Sequence, residues 1–455
     1  MSENEIVAEQ HAAIGNVTKT DKSNYRRTEH PDAQWFPGSL GLFIHWGISS
    51  VSGTGDLSWS MMCTAPGNRN VILEKYGPVA LQQKFTPNAY WKQAESFNPD
   101  KCNPGKWLSA AKKAGITYAV LTTKHHDGYT MWPSKTSSFG VQTSLPGKDF
   151  VCEFIEACRE NGLKVGLYYS PPDWYLERER MAFGKTADSS GKEVFVGMDH
   201  EPIDKAKLPS VDDKDFVDRW NAQVKGHLYE LLTSYGKIDL LWFDGSSKNA
   251  VTLEELRKLQ PGILFNPRGL GYGDYETPEC KFPAQQPSGW WEYCHIWNDG
   301  AWGYLKHEIY KPTGWMIGEW AKARAWGGNF LVNVGPDSRG ELPPVAYKRF
   351  AELAKWNRKL GFAIAKDTVP GPWPEKCNAP ATIKGSKWYM LLVFEWDESE
   401  IVVKGVNAPK SVRLLRMDSK IKLEWRMDGS DLRIPIRNSD RGVLLDIVEI
   451  EFGGR

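Results

Sequence analysis

Several short apolar runs in this 455-residue chain end abruptly in groups that can do chemistry. The run Ile238-Asp239-Leu240-Leu241-Trp242-Phe243 stops at Asp244-Gly245. Thr117–Thr123 is followed by Lys124-His125-His126-Asp127-Gly128. Gly41–Ile44 leads into His45-Trp46-Gly47, Lys164–Leu167 into Tyr168-Tyr169-Ser170, and Gly262–Phe265 into Asn266-Pro267-Arg268. Four further carboxylates, Asp274, Glu276, Glu279 and Glu292, lie in the next 30 residues. A carboxylate fixed on rigid backbone is suited to nucleophilic or general-base work, and a second carboxyl group can move protons. Histidines and an arginine offer directed donors and acceptors that can hold a polyhydroxylated molecule in place. Bland alternatives stand beside these. Asp244 can cap a helix or make a turn with Gly245. His125 and His126 can be a structural pair or metal ligands. Neighbouring side chains on a strand point to opposite sides, which argues against both histidines holding one ion.

The elements that must position these groups alternate. Apolar runs of five or more residues bounded by turn residues read as strands buried on both faces, which belong to parallel sheets. Helical spacing predicts helices over 107–115, 150–161, 212–235, 253–259, 311–325 and 345–360, with Gly115 and Gly162 as stops. Further strands are expected at 290–294 and within 327–336. Residues 173–211 read as a long irregular insertion over the site, and 269–289, rich in Gly and Pro, as a loop carrying Glu276 and Glu279. Repeated strand–helix units with polar residues after each strand favour a (β/α)8-like, TIM-type barrel. No G-x-G-x-x-G follows an early strand, which counts against dinucleotide binding. From about residue 363 the pattern becomes short alternating strands, which indicates a β-sandwich. The expected organisation is an N-terminal extension (1–34), a catalytic α/β barrel (35–362) and a C-terminal β-sandwich (363–455).

Composition narrows the class. Lys plus Arg number 57 and Asp plus Glu 56, a formal charge of +1. No basic field invites nucleic acid, and no polybasic run or transmembrane-length apolar stretch invites a membrane. The 21 tryptophans and 17 tyrosines suit the apolar faces of sugar rings as well as a core. Seven scattered cysteines form no disulfide or zinc pattern. The first ten residues lack the basic-then-apolar character of a signal peptide, and the compartment and oligomeric state stay open.

Taken together and in order, several motifs resemble the family-29 glycoside hydrolases, the retaining α-L-fucosidases. They are Phe43–Gly47, Lys124–Gly128, Val165–Ser170, Leu241-Trp242-Phe243-Asp244-Gly245, Trp291-Glu292, Trp302-Gly303-Tyr304 and Gly327-Gly328-Asn329 through Gly335-Pro336. The resemblance implies an exo-acting hydrolase that releases terminal fucose from a fucosylated oligosaccharide or glycoconjugate in two displacements, with no cofactor and no metal. It places Asp244 as the nucleophile. His45, His125, His126, Tyr168, Trp242 and Arg268 match residues that grip the sugar or frame the nucleophile, and Trp302 falls where an aromatic packs on the C6 methyl. For the acid/base, Glu279 resembles the loop glutamate of some members and is the first choice. Glu292, which a strand position would suit to bracing, is the second.

One departure from the family pattern concerns the loop after the first strand. Many members carry a Glu-Trp pair there, whereas this chain has Ser58-Trp59. Trp59 keeps its place at the sugar, but a serine is no charged acceptor, and Asp56 is the nearby substitute. The departure leaves open a related sugar, such as an α-L-galactoside, and a catalytically weak sugar-binding relative. A metal-dependent hydrolase is a more distant alternative.

Overall fold

The computed structural model describes residues 26–64, 70, 85–437 and 441–453. Seven parallel strands form one curled sheet: β1 (Leu40–Ile44), β2 (Tyr118–Lys124), β3 (Lys164–Tyr169), β4 (Leu240–Phe243), β5 (Leu264–Phe265), β6 (Glu292–Ile296) and β7 (Asn329–Val334). Their spatial order is β5-β4-β3-β2-β1-β7-β6, so the last strand closes onto the first. Between β5 and β6 the ladder is interrupted. There Tyr275–Cys280 takes the position of an eighth strand through two parallel bridges, Glu276 to Trp291 and Glu279 to Cys294. Its other side holds to β5 by one backbone bond, Asp274 N–H to Phe265 O (2.8 Å). The expected loop at Glu279 is thus pinned backbone. Its Gly, Pro and charge content hid a strand position that makes only isolated bridges.

Side chains alternate across the barrel wall, as period-2 strands require. Leu42, Ala119, Leu121, Val165, Leu167, Leu241 and Val332 face outward, in the large cluster that includes the helices. Phe43, Tyr118, Val120, Tyr168, Leu240, Trp242, Leu264 and Leu331 form a separate inner cluster. Gly41 makes room in this interior, because a Cβ there would lie 2.3 Å from the Tyr118 ring. Phe36 plugs the floor, with ring centroids 4.6 Å from Tyr275 and 5.6 Å from Trp290.

Helices cover the outside: α1 (Pro104–Ala114), α2 (Phe150–Glu160), α3 (Lys214–Thr233), α4 (Leu253–Leu259), α5 (Thr313–Ala325) and α6 (Pro344–Leu360). Local chemistry sets their ends. Asn103 and Asp149 accept from the third helical N–H of α1 and α2, Thr252 and Glu255 form a reciprocal capping box, and Gly115 stops α1 in the left-handed region (φ 101°). The expected insertion is more regular than its composition suggested. Lys185–Ala187, Glu193–Val196 and Pro202–Ile203 form a small antiparallel sheet whose strands are too short to show periodicity.

Beyond Ile364 every strand is antiparallel. A six-stranded sheet and a three-stranded sheet (Glu400–Val403, Arg426–Asp428, Asp431–Pro435) bury alternate residues, among them Ile401, Val403, Leu432 and Ile434. This region docks on the last barrel helix, where the Trp356 indole N–H donates to Leu445 O (2.8 Å). The expected extension over residues 1–34 is described only from Arg26. That part lies on the barrel, with Arg27 N–H donating to Asp274 (2.6 Å). Cys102, Cys152, Cys158, Cys294 and Cys377 are free thiols. Among the described residues no helix is long and apolar enough to cross a membrane.

Candidate active site

The C-terminal ends of the strands converge on Asp244. One residue past β4, its chain turns away at Gly245, whose φ of 109° an L side chain rarely adopts. Both carboxylate oxygens are engaged. Tyr168 Oη donates to Oδ2 (2.7 Å) and Arg268 Nη1 to Oδ1 (2.9 Å). Burial pushes this carboxyl up, while the Arg268 guanidinium and the Tyr168 hydroxyl, with any charge on His126, pull it down, and the net result lies below the usual aspartate value. Asp244 is therefore ionised at neutral pH.

A stack of rings fixes the groups around it. Tyr168 lies between His125 (5.6 Å, 5°) and Trp242 (5.7 Å, 15°). The Arg268 guanidinium sits 4.5 Å above the Trp242 ring centroid. His45 is 5.1 Å from Trp302, and Trp59 is edge-on to His126 at 5.5 Å. Burial pushes His45 and His126 down to about 4 and His125 well below its usual value, so all three imidazoles are neutral at pH 7. The Asn333 amide N–H donates to Trp302 O (2.6 Å), which turns its oxygen to accept from His45 Nδ1 (2.7 Å). His45 thus carries its proton on Nδ1 and presents Nε2 as an acceptor.

The histidine pair differs from its expected orientation. His125 and His126 do not point apart, since their ring centroids are 4.3 Å apart on the same side of the site. They lie beyond the end of β2, where the alternation of an extended strand no longer applies. Each offers a ligand atom that, with one from Asp244, falls within a set no wider than 4.8 Å. The Arg268 guanidinium already bound to Asp244 opposes a second cation there. Neutral imidazoles beside an ionised carboxylate suit hydroxyl groups equally well.

The two glutamates occupy different levels. Arg268 Nη2 donates to Glu279 Oε2 (2.7 Å), so one guanidinium joins Asp244 and Glu279. The Glu279 side chain remains 16% exposed, whereas Glu292 is fully buried. Glu292 opens β6 on the floor side, level with Asn329 at the start of β7. It accepts from the Tyr118 hydroxyl and, at 2.9 Å, from the Trp242 indole. Burial raises its carboxyl to about 7.

Ser58 is buried, and its hydroxyl bonds Nδ1 of His125. Asp56, the proposed substitute acceptor, instead takes the backbone N–H of Trp302 (2.8 Å) and braces that aromatic wall. Sequence reasoning did not single out Asn333, Ser170 or Lys124 as site residues. The available signal was a polar residue inside or just after an apolar strand run, with alternation placing Asn333 inward two residues after Leu331.

The chain matches the α-L-fucosidase family model over residues 6–361. It is 29% identical to the tissue α-L-fucosidase of Bos taurus over 432 residues, covering 88% of this chain and 83% of that one. The human tissue enzyme is 27% identical, with 88% and 83% covered. Among solved structures, α-L-fucosidase isoenzyme 1 from Paenibacillus thiaminolyticus superimposes with a TM-score of 0.71 at 27% identity, over 93% of this chain and 99% of that one. A Bacteroides thetaiotaomicron α-L-fucosidase trapped as a covalent intermediate shares the fold, with a TM-score of 0.69 at 21% identity over 96% and 98%. With a family match spanning the barrel and the strand-end motifs gathered into one site, the chain belongs to the α-L-fucosidase family.

Proposed function

We propose that the protein is an exo-acting, retaining α-L-fucosidase that hydrolyses terminal α-L-fucosyl residues from glycans. The observation that carries this reading is the shared guanidinium, with Arg268 holding an ionised Asp244 on one side and Glu279 on the other. One guanidinium bonded to both carboxylates gathers them at one site, as a two-carboxylate mechanism requires. Asp244 attacks the anomeric carbon and forms the glycosyl-enzyme. Glu279 protonates the leaving oxygen, then takes a proton from water. Its bond to Arg268 stabilises the carboxylate, the form needed for the second step, and desolvation beside Asp244 once the sugar is bound raises its pKa so that it holds the proton given up in the first. Glu292 braces the floor, where Tyr118 and Trp242 occupy both of its oxygens.

His45, His125 and His126 receive or donate to sugar hydroxyls as neutral imidazoles, with Tyr168, Trp242 and Arg268 framing the nucleophile. Trp302 forms the wall for C6, and Trp59 closes the site beside His126. No metal or cofactor is called on. A panel of aryl glycosides tests this reading. Turnover of the α-L-fucoside, with much weaker turnover of the α-L-galactoside, is expected. Preference for the galactoside or absence of turnover would overturn it.

A further inference from the structure

We infer that Ser170 is a positioning residue that fixes His126 as the Nδ1–H tautomer, so that Nε2 meets the substrate beside Asp244 as a bare acceptor. Ser170 Oγ lies 2.5 Å from His126 Nδ1 and 3.1 Å from Pro172 O. A carbonyl only accepts, and the serine hydroxyl has one proton. With the proton on Nδ1, His126 donates to Ser170 and Ser170 donates to Pro172, so both bonds form. With the proton on Nε2, the serine proton must turn to Nδ1 and the bond to Pro172 is lost. The Nε2 proton would gain an attraction to Asp244 Oδ2, 3.4 Å away, but no aligned hydrogen bond, because Nε2 is buried with no hydrogen-bond partner.

The anchor of this chain is itself fixed. Pro172 O also accepts from Lys124 Nζ (3.0 Å), a fully buried ammonium paired with Asp173 (3.4 Å). Gln223 donates to the same Asp173 (2.8 Å), and Trp174 N–H holds the His126 carbonyl (2.7 Å). A buried positive charge at Lys124 also disfavours a second proton on His126. The hydrogen bond made by one ring nitrogen sets the state of the other. His126 therefore asks for a hydroxyl donor, and the sugar supplies it. Nε2 and Asp244 Oδ2 are then two acceptors facing each other. A bound ring hydroxyl, donating its proton, relieves that opposition beside the nucleophile.

The inference rests on the fucosidase reading for its substrate, but its first test does not. In ¹⁵N-labelled enzyme without substrate, the His126 signals should show a protonated Nδ1 and an unprotonated Nε2 near neutral pH. The opposite assignment overturns the proposal whether or not the enzyme cleaves fucosides. The second test compares an aryl α-L-fucoside with its 2-, 3- and 4-deoxy counterparts in the wild type and in Ser170→Ala. The variant should lose about 10–100-fold in kcat/KM on the parent, the scale seen when a partner orienting a histidine is removed. Its loss should be much smaller on the one deoxy substrate that lacks the hydroxyl facing His126. Ser170→Thr, which keeps the hydroxyl, should restore the Nδ1–H signals and most of the discrimination. Equal losses on all four substrates would mean that Ser170 only supports packing, and the proposal would fall.

Discussion

Two arcs of one barrel carry the two carboxylates, and they are built differently. From β7 through β1, β2 and β3 to β4 the ladder is continuous, and each strand end delivers a polar side chain to the site. From β5 to β6 the wall is interrupted, and Glu279 stands on a segment held by two isolated bridges. The continuous arc fixes Asp244 through its own strand and through Tyr168 on the neighbouring one. The interrupted arc positions Glu279 through backbone bonds to β6, among them Cys280 N–H to Cys294 O (3.0 Å), and through the Arg268 guanidinium. Rigid backbone suits a nucleophile that must meet one carbon.

Substitutions can break this contrast. Asp244→Gly should lower kcat on an aryl α-L-fucoside by on the order of 10⁴-fold or more, with partial rescue by azide as the glycosyl azide. Near-normal turnover would remove Asp244 from the role. Glu279→Ala should cost roughly 10²–10⁴-fold on substrates with poor leaving groups and far less on activated aryl glycosides. If Glu292→Ala shows that leaving-group dependence instead, the acid sits on a regular ladder strand, β6, and the contrast fails.

A smaller effect is expected at the C6 wall. Trp302→Ala should reduce the preference for the α-L-fucoside over the α-L-galactoside by about 10–100-fold in kcat/KM, the range a single methyl or hydroxyl contact can supply. An unchanged ratio would place C6 elsewhere.

The smallest effect on chemistry, but a visible one on stability, concerns Glu292. Its folded-state value of about 7 lies above the roughly 4.3 of an unfolded glutamate. The protonated group therefore contributes stability that is complete below about pH 4 and is lost as pH rises through about 7. Thermal melting from pH 4 to 9 should show this decline in the wild type and a flatter profile in Glu292→Gln. Glu292→Ala should destabilise at every pH, because the Tyr118 hydroxyl and Trp242 indole lose their acceptor, at roughly 1–3 kcal/mol for each orphaned donor.

The same contrast explains what could be read early. The strands of the continuous arc are long apolar runs, and such runs announce both themselves and the polar residue at their ends. Glu279 lies among Gly, Pro and charges, where no periodicity exists to mark a strand position. The small antiparallel sheet between Lys185 and Ile203 escaped for a related reason, since strands of two to four residues are shorter than any repeat. His125 and His126 were misjudged because the alternation rule was carried past the end of β2.

Sequence by itself determined the barrel, the antiparallel tail, the family motifs and the strand that carries Asp244. Local patterns suffice there, because burial on both faces and period-2 alternation are written into each segment. Tertiary structure decided the relations between segments distant in the chain. It placed Arg268 between Asp244 and Glu279, put Glu292 on the floor, turned Asp56 onto Trp302, and set Ser58 and Ser170 behind the two histidines. Such pairings depend on where side chains meet across the barrel, which no single stretch of sequence encodes.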